Sequence, residues 1–155
     1  MDTIVVGVDG SERSTAALRW AVEEARLRNA QVEAVYVLDM PGMMASGYTD
    51  GLVNPDVLDN AIVGAREEAQ RALDEAIADV EAGEVTIRRL VVDDRGPADA
   101  LVERSRDAAL LVVGSRGLSG FRELVLGSVS RQAANHAHCP VVIIRYEAES
   151  TDEHS

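Results

Sequence analysis

A stretch of glycine and serine residues between positions 114 and 130 has the composition and spacing of a phosphate-binding loop. Its glycines follow the pattern G-x2-G-x9-G-S, with Gly114 and Gly117 first and Gly127-Ser128 after nine intervening residues. Glycines allow backbone N–H groups to approach an anion without obstruction by a Cβ atom. A helix that begins near Ser128 would direct unpaired N–H groups and its positive dipole end to the same place, and Ser130 adds a hydroxyl. Ordinary turns would account for Gly114 and Gly117 alone, but not for the distant Gly127-Ser128 pair.

The charge distribution favours a polyphosphate at this segment. The chain has 155 residues, and its 15 basic residues, all arginine, stand against 27 acidic residues for a net charge of −12. Residues 114–131 reverse this trend, because Arg116, Arg122 and Arg131 outnumber Glu123 and give a local charge of +2, against −14 for the rest. We therefore assign Arg116 to the phosphates on electrostatic grounds.

Two familiar phosphate-binding motifs do not match the chain. The Walker loop requires a lysine, and the chain has none. The dinucleotide motif G-x-G-x-x-G is absent after the first apolar run, where Val8-Asp9-Gly10-Ser11 stands instead. Both absences disfavour kinase-like and dehydrogenase chemistry.

Asp9 is the second candidate for a functional residue. It follows the apolar run Ile4–Val8, which has the composition of a buried strand. A carboxylate at this point either accepts hydrogen bonds at the start of the next helix or contacts a ligand. Its place at the end of the first strand favours the ligand, because open parallel sheets bind ligands at the carboxyl ends of their strands.

Five apolar runs alternate with helical patterns along the chain. The expected strands cover residues 4–8, 32–38, 85–92, 109–113 and 141–144. The expected helices run from Ser11 or Ser14 to about Asn29, from Pro55 to Gly83, from Gly96-Pro97 to Ser105, and over 128–137, and a long loop covers 39–54. This alternation predicts a single α/β domain with an open parallel five-stranded sheet and helices on both faces. In a 3-2-1-4-5 strand order, Asp9 and Gly114 open into one crevice.

Composition restricts the partners. A net charge of −12, 3% aromatic residues and no basic tract disfavour nucleic acid. No apolar run reaches the roughly 20 residues that span a bilayer, and the first residues do not resemble a signal peptide, so we expect a cytoplasmic protein without membrane contact. His136 and His138 lie two apart at a helix end and point in different directions, which disfavours a metal site there.

Four segments together resemble the universal stress protein family. They are residues 4–11, residues 35–39, the glycine pattern at 114–128, and Cys139-Pro140-Val141-Val142-Ile143. The resemblance implies a domain over 1–146, followed by a solvated tail at 147–155. It also implies a Rossmann-like fold similar to the adenine nucleotide alpha hydrolases, with strand order 3-2-1-4-5. The glycine pattern marks the branch of the family that binds ATP.

The family resemblance also implies roles for individual residues. Asp9 resembles the acidic residue that contacts ribose or an associated metal, and Val37 falls at the adenine pocket. Gly114, Gly117, Gly127, Ser128 and Ser130 match the loop around ribose and phosphates. The full set of expected nucleotide-binding residues is Val8, Asp9, Val37, Gly114, Arg116, Gly117, Gly127, Ser128, Val129 and Ser130.

These features lead to a main hypothesis and two alternatives. The main one is a stress-response module that binds ATP with Mg²⁺ and forms the homodimer, joined along the edges of the fifth strands, that the family resemblance implies. No nucleophile–base pair is evident beside the expected phosphates, so we expect no efficient catalysis. The alternatives are a dimeric interaction protein without nucleotide and a slow ATP hydrolase.

Overall fold

The protein is built around one parallel sheet, as expected from its sequence. The computed structural model describes residues 1–39, 55–93, 95–115 and 126–145. The strands are β1 (Thr3–Gly7), β2 (Gln31–Val37), β3 (Ile87–Val92), β4 (Leu110–Gly114) and β5 (Val141–Ile144). They pair in the order β3-β2-β1-β4-β5, and each pairing is parallel. The predicted strand order is therefore confirmed.

Four helices connect these strands within the described ranges. They are α1 (Glu12–Arg28), α2 (Pro55–Ala78), α3 (Pro97–Arg104) and α4 (Ser128–His136), and a short 3₁₀ turn, Ser105–Asp107, follows α3. Apart from Asp39, the expected loop at 39–54 lies outside the described residues, as does the tail at 147–155. None of the helices described is long and apolar enough to cross a membrane.

Alternating strand residues divide the core between the two faces of the sheet. On one face, residues such as Ile4 and Val6 pack with α1 and the C-terminal half of α2. On the other, residues such as Val5 and Val35 pack with Leu101 of α3 and Ala133 of α4. The predicted helices on both faces of the sheet are thus confirmed, and the largest fully buried side chains are aliphatic except for Ser105 and Ser130.

Helix α1 has clear signals at both ends. The Ser11 hydroxyl accepts a hydrogen bond from the Ser14 amide at 3.1 Å, which satisfies one of the free amides of the first turn. Asn29 ends the helix in the left-handed conformation, with φ 58°. The buried face of this helix includes Leu18, Ala21, Val22 and Ala25.

Helix α2 follows its prediction only in part. Ala69, Leu73 and Ala76 form a buried stripe on one face of the helix, whereas Leu58 and Ile62 nearer the N-terminus are only half-buried. The helix ends at Ala78 and not at Gly83. The stripe therefore contacts the sheet through the second half of the helix.

A buried carboxylate joins the sheet to α3. Glu33 of β2 is 5% exposed, and its Oε1 accepts a hydrogen bond from Arg104 Nε of α3. Arg88 of the neighbouring β3 lies 3.9 Å from the other carboxylate oxygen. A buried charge of this kind requires a partner, and Arg104 supplies one from the helix that covers this face.

Gly10 and Gly64 should respond in opposite directions to the same substitution. Gly10 has φ +88°, which a Cβ disfavours, so Gly10→Ala is expected to lower the free energy of unfolding by about 1–2 kcal/mol. Gly64 lies inside α2, where a Cβ atom would meet nothing within 4 Å, so Gly64→Ala should raise it by about 0.5–1 kcal/mol. Urea unfolding of both variants checks the pair. Equal effects of the two substitutions would contradict the positive φ angle of Gly10.

Candidate functional site

The carboxyl edge of the sheet brings together residues that are far apart in the sequence. In the β1–β2 pairing Gly7 lies opposite Val35, and the Val8 amide still donates to the Val35 carbonyl at 2.8 Å. Continuing this register by two residues places Asp9 level with Val37. In the β1–β4 pairing Val6 lies opposite Val112, so Val8 comes level with Gly114. Neighbouring strands are about 4.8 Å apart, and these four candidate residues therefore share one edge.

Ser115 connects the end of β4 to the start of α4. Its carbonyl accepts hydrogen bonds from the Gly127 amide at 2.8 Å and from the Ser130 hydroxyl at 2.8 Å. Its own amide donates to the Ile144 carbonyl of β5 at 2.9 Å. The three bonds fix the beginning of α4 beside the ends of β4 and β5.

The first turn of α4 has no side-chain cap. Gly127 is the N-cap and has no side chain to accept from the amides of that turn. Ser128 is exposed and Val129 is half-buried. Ser130 is 1% exposed, and its hydroxyl is hydrogen-bonded to the carbonyls of Ser115 and Gly127. Ser130 therefore holds the turn in place, and the amides of this turn lie at the positive end of the helix dipole, beside the edge where a phosphate could bind.

Asp9 stabilises the turn that leads from β1 into α1. Its Oδ1 accepts from the Ser11 amide at 2.9 Å and from the Ser11 hydroxyl at 2.6 Å. The Asp9 amide in turn donates to the Ser14 hydroxyl at 3.2 Å. The helix-start role that the sequence left open is thus present. Both carboxylate bonds use Oδ1, so the role does not occupy Oδ2.

Tyr36 adds a phenol to the same edge, which the sequence did not indicate. It lies on β2 one residue before Val37 and packs partly buried against the core on the α1 side. Burial raises the pKa of Tyr36 above its ordinary value, and the negative charges of Asp9 and then Glu68 raise the pKa further. The phenol therefore stays neutral and can donate a hydrogen bond at neutral pH.

The structure places eight of the ten expected site residues. Val8, Asp9, Val37, Gly114, Gly127, Ser128, Val129 and Ser130 lie at the carboxyl edge or in the first turn of α4. Arg116 and Gly117 lie outside the described residues. Sequence reasoning treated Ser115 only as a spacer in the glycine pattern. Its position directly after an apolar strand could have marked it as a link to the next element.

The described donors suit phosphate better than a protein-only metal site. Asp9 offers carboxylate oxygen, the ligand type that Mg²⁺ prefers, and Mg²⁺ commonly binds through one or two carboxylates together with phosphates. Within the described ranges, no group of three or more His, Cys, Asp or Glu side chains is arranged to hold a metal ion. Asp9 could thus act as a carboxylate ligand beside phosphate oxygens.

The pKa of Tyr36 gives a test of this geometry. We expect Asp9→Asn to lower the pKa of Tyr36 more than Glu68→Gln does, and burial to keep the pKa above its ordinary value in both variants. Because the native state retains the phenolic proton longer than the unfolded state, the free energy of unfolding should fall as the pH rises above about 10. Phenolate absorbance in the near ultraviolet, after subtraction of the Tyr36→Phe titration, measures the shift. An unchanged pKa in Asp9→Asn would show that the two groups are not neighbours.

Known proteins that are similar to this chain share its fold, and two of them were solved with a bound nucleotide. The chain is 34% identical over 150 residues to universal stress protein Rv2624c of Mycobacterium tuberculosis, covering 96% of this chain and 50% of that protein. It thus spans about half the length of the curated relatives it matches. A universal stress protein solved in complex with cAMP is 32% identical, with a TM-score of 0.61 and coverage of 93% of this chain and 96% of that one.

A third comparison concerns another nucleotide complex. The universal stress protein from Archaeoglobus fulgidus solved with dAMP is 28% identical, with a TM-score of 0.59 and coverage of 93% of this chain and 98% of that one. The family model described as universal stress protein family matches residues 1–145. The observed strand order is also the one that the resemblance of the sequence motifs implied. The chain therefore belongs to the universal stress protein family.

Proposed function

We propose that the chain binds ATP together with Mg²⁺ at the carboxyl edge formed by β1, β4 and the first turn of α4. The observation that carries the proposal is the pair of bonds from the Gly127 amide and the Ser130 hydroxyl to the Ser115 carbonyl. They bring an uncapped helix start to the edge that also holds Asp9 and Val37. Relatives that hold cAMP and dAMP support an adenine nucleotide as the class of ligand.

Each part of the edge has a distinct role in this proposal. Val37, half-buried at the end of β2, provides apolar surface for the adenine ring. The free oxygen of Asp9 accepts from a ribose hydroxyl or binds the metal. The amides of Ser128 and Val129 donate to phosphate oxygens, and Gly114 lets the chain approach closely. Bound Mg²⁺ would neutralise part of the phosphate charge.

This set of groups favours binding over turnover. Catalysis of phosphoryl transfer needs a residue that orients or deprotonates a nucleophile beside the terminal phosphate. Among the described groups at this edge, the free oxygen of Asp9 is assigned to the ribose or the metal, and the Ser130 hydroxyl is hydrogen-bonded to two carbonyls. The module would therefore act by adopting a ligand-bound state that differs in its partner contacts.

Calorimetric titration with ATP tests the site. Asp9→Asn and Gly127→Val should each weaken ATP binding at least about tenfold, equivalent to 1.4 kcal/mol, and Gly117→Val should do the same. Gly127 has φ −67° and ψ 168°, which valine tolerates, so this variant adds bulk at the edge without backbone strain. EDTA should weaken binding in the wild type, and phosphate release should be very slow.

Asp107→Asn is the matched control, because this exposed aspartate lies before β4, at the opposite edge of the sheet. It should bind ATP like the wild type. Circular dichroism establishes that each variant is folded. Wild-type affinity in folded Asp9→Asn and Gly127→Val would refute the site, and a folded wild type that binds no adenine nucleotide would favour an interaction protein without ligand.

A second candidate function, self-association through β5, is favoured by the edge position of this strand. All four residues of β5 are half-buried, and β5 ends the strand order. The Pro140 and Ile144 carbonyls accept from Leu111 and Ser115 of β4. In a parallel pairing this alternation directs the Ile143 amide away from β4, toward the outer edge of the sheet.

Ile143→Pro should therefore convert a dimer into a monomer. Proline removes the outward amide but leaves the bonds between β4 and β5 intact, as tolerated on an edge strand. Ile143→Val keeps the amide and is the control, expected to remain dimeric. Sedimentation velocity measures both. A dimeric, folded Ile143→Pro would exclude pairing through this edge.

A further inference from the structure

Most arginines in the described part of this acidic chain form ion pairs with carboxylates. They are Arg19, Arg26, Arg28, Arg66, Arg88, Arg89, Arg104 and Arg106. Arg71, Arg131 and Arg145 are exposed and form no ion pair with a described residue. With 27 acidic residues in the chain, an arginine that lacks a carboxylate partner is unusual here.

Two of these three arginines lie beside the same point of the fold. Arg145 follows Ile144, whose carbonyl accepts from the Ser115 amide at 2.9 Å. Arg131 follows Ser130, whose hydroxyl donates to the Ser115 carbonyl at 2.8 Å, and the Arg131 amide donates to the Gly127 carbonyl at 3.0 Å. Both arginines are thus one residue away from a group that is hydrogen-bonded to Ser115.

Register also puts Arg145 at the level of the proposed ligand. Gly114 lies opposite Ile144, so continuing the β4–β5 pairing by one residue brings Arg145 level with Ser115. Strand residues alternate between faces, and Ile143 belongs to the cluster that packs against α3 and α4. By the same alternation Arg145 is on the α4 side, where Arg131 occupies the first turn of α4.

We infer that Arg131 and Arg145 bind the outer phosphates of a nucleoside di- or triphosphate and set the preference of this site for ATP over a nucleoside monophosphate. The inference rests on the proposed function and deepens it. Two guanidinium groups that form no ion pair with a described carboxylate can form charge-assisted hydrogen bonds to phosphate without first breaking such a pair. The single phosphate of a monophosphate would use the amides of α4 and leave both arginines unused.

Binding of ATP and AMP to single variants separates this role from general effects on the site. Arg131→Gln and Arg145→Gln should each weaken ATP binding by about fivefold or more, since one charge-assisted contact is lost. AMP binding should change by less than about twofold in both, because those contacts are absent in its complex. The effect on ATP should also shrink as the salt concentration rises, since these cations are exposed to solvent.

Arg71→Gln is the matched control. Arg71 is exposed and also has no ion pair with a described residue, but it lies on α2, which packs on the α1 side of the sheet, opposite to α4. This variant removes the same charge and should leave the ratio of ATP to AMP affinity unchanged. If the ratio of ATP to AMP affinity falls in Arg71→Gln as much as in the other two variants, the effect is caused by net charge alone. That result would overturn the inference.

The remaining outcomes also decide between the two levels of the proposal. One outcome is that the wild type binds ATP while Arg131→Gln and Arg145→Gln have the same ratio of ATP to AMP affinity as the wild type. In that case the arginine assignment is wrong and the nucleotide site stands. If the folded wild type binds neither ATP nor AMP, the proposed function fails, and this inference fails with it. Sedimentation of Arg145→Gln shows whether any loss of ATP affinity is accompanied by a change of oligomeric state. A loss seen only with dissociation would assign Arg145 to the interface and overturn its phosphate role.

Discussion

The peptide group of Ser115 is the junction on which the candidate site depends. Its carbonyl receives both the Gly127 amide and the Ser130 hydroxyl, and its amide is held by Ile144. The first-turn amides of a helix point in a defined direction only if that turn is held in place. These bonds hold the first turn of α4 against β4 and β5. The amides of α4 consequently point at the carboxyl edge of the sheet, where β1 delivers Asp9.

The parallel register determines which side chains can meet there. A shift of one residue between β1 and β4 would send every side chain of the shifted strand to the other face of the sheet. Buried aliphatic residues on both faces resist such a shift, since each face has its own apolar cluster. The core thus defines the position of Val8 and Asp9 relative to Gly114.

Local signals in the sequence predicted most of the fold, and the errors have local causes. Strand β5 was predicted with its observed bounds because Pro140 prevents the preceding helix from continuing. Helix α2 was predicted to continue to Gly83, but its last turn tightens when the Val80 amide bonds to the Ile77 carbonyl. Likewise, β3 was predicted from Val85, yet the Val85 amide bonds to the Ala82 carbonyl in a turn, and the strand begins at Ile87.

The site was less predictable than the fold because its geometry depends on contacts between distant segments. The glycine spacing indicated where phosphates could bind, and Asp9 was identified by its position after β1. Neither signal indicated Ser115 or Tyr36, whose roles arise only when β2, β4 and α4 come together. Nor did the sequence indicate that Asp9 binds Ser11 through Oδ1 and leaves Oδ2 available.

The hydrogen bonds of the site separate two kinds of polar group. One kind holds the scaffold: Ser11, Ser14, Ser130 and the Oδ1 atom of Asp9 are all hydrogen-bonded within the chain. Groups of the other kind lie at the same edge and have no hydrogen bond to a described residue. The first-turn amides of α4 are an example. Groups of the first kind set the positions, so their loss would alter the fold as well as binding. Exposed side chains at this edge, such as those of Arg131 and Arg145, can change with little structural cost, and we expect differences in ligand preference between family members to arise there.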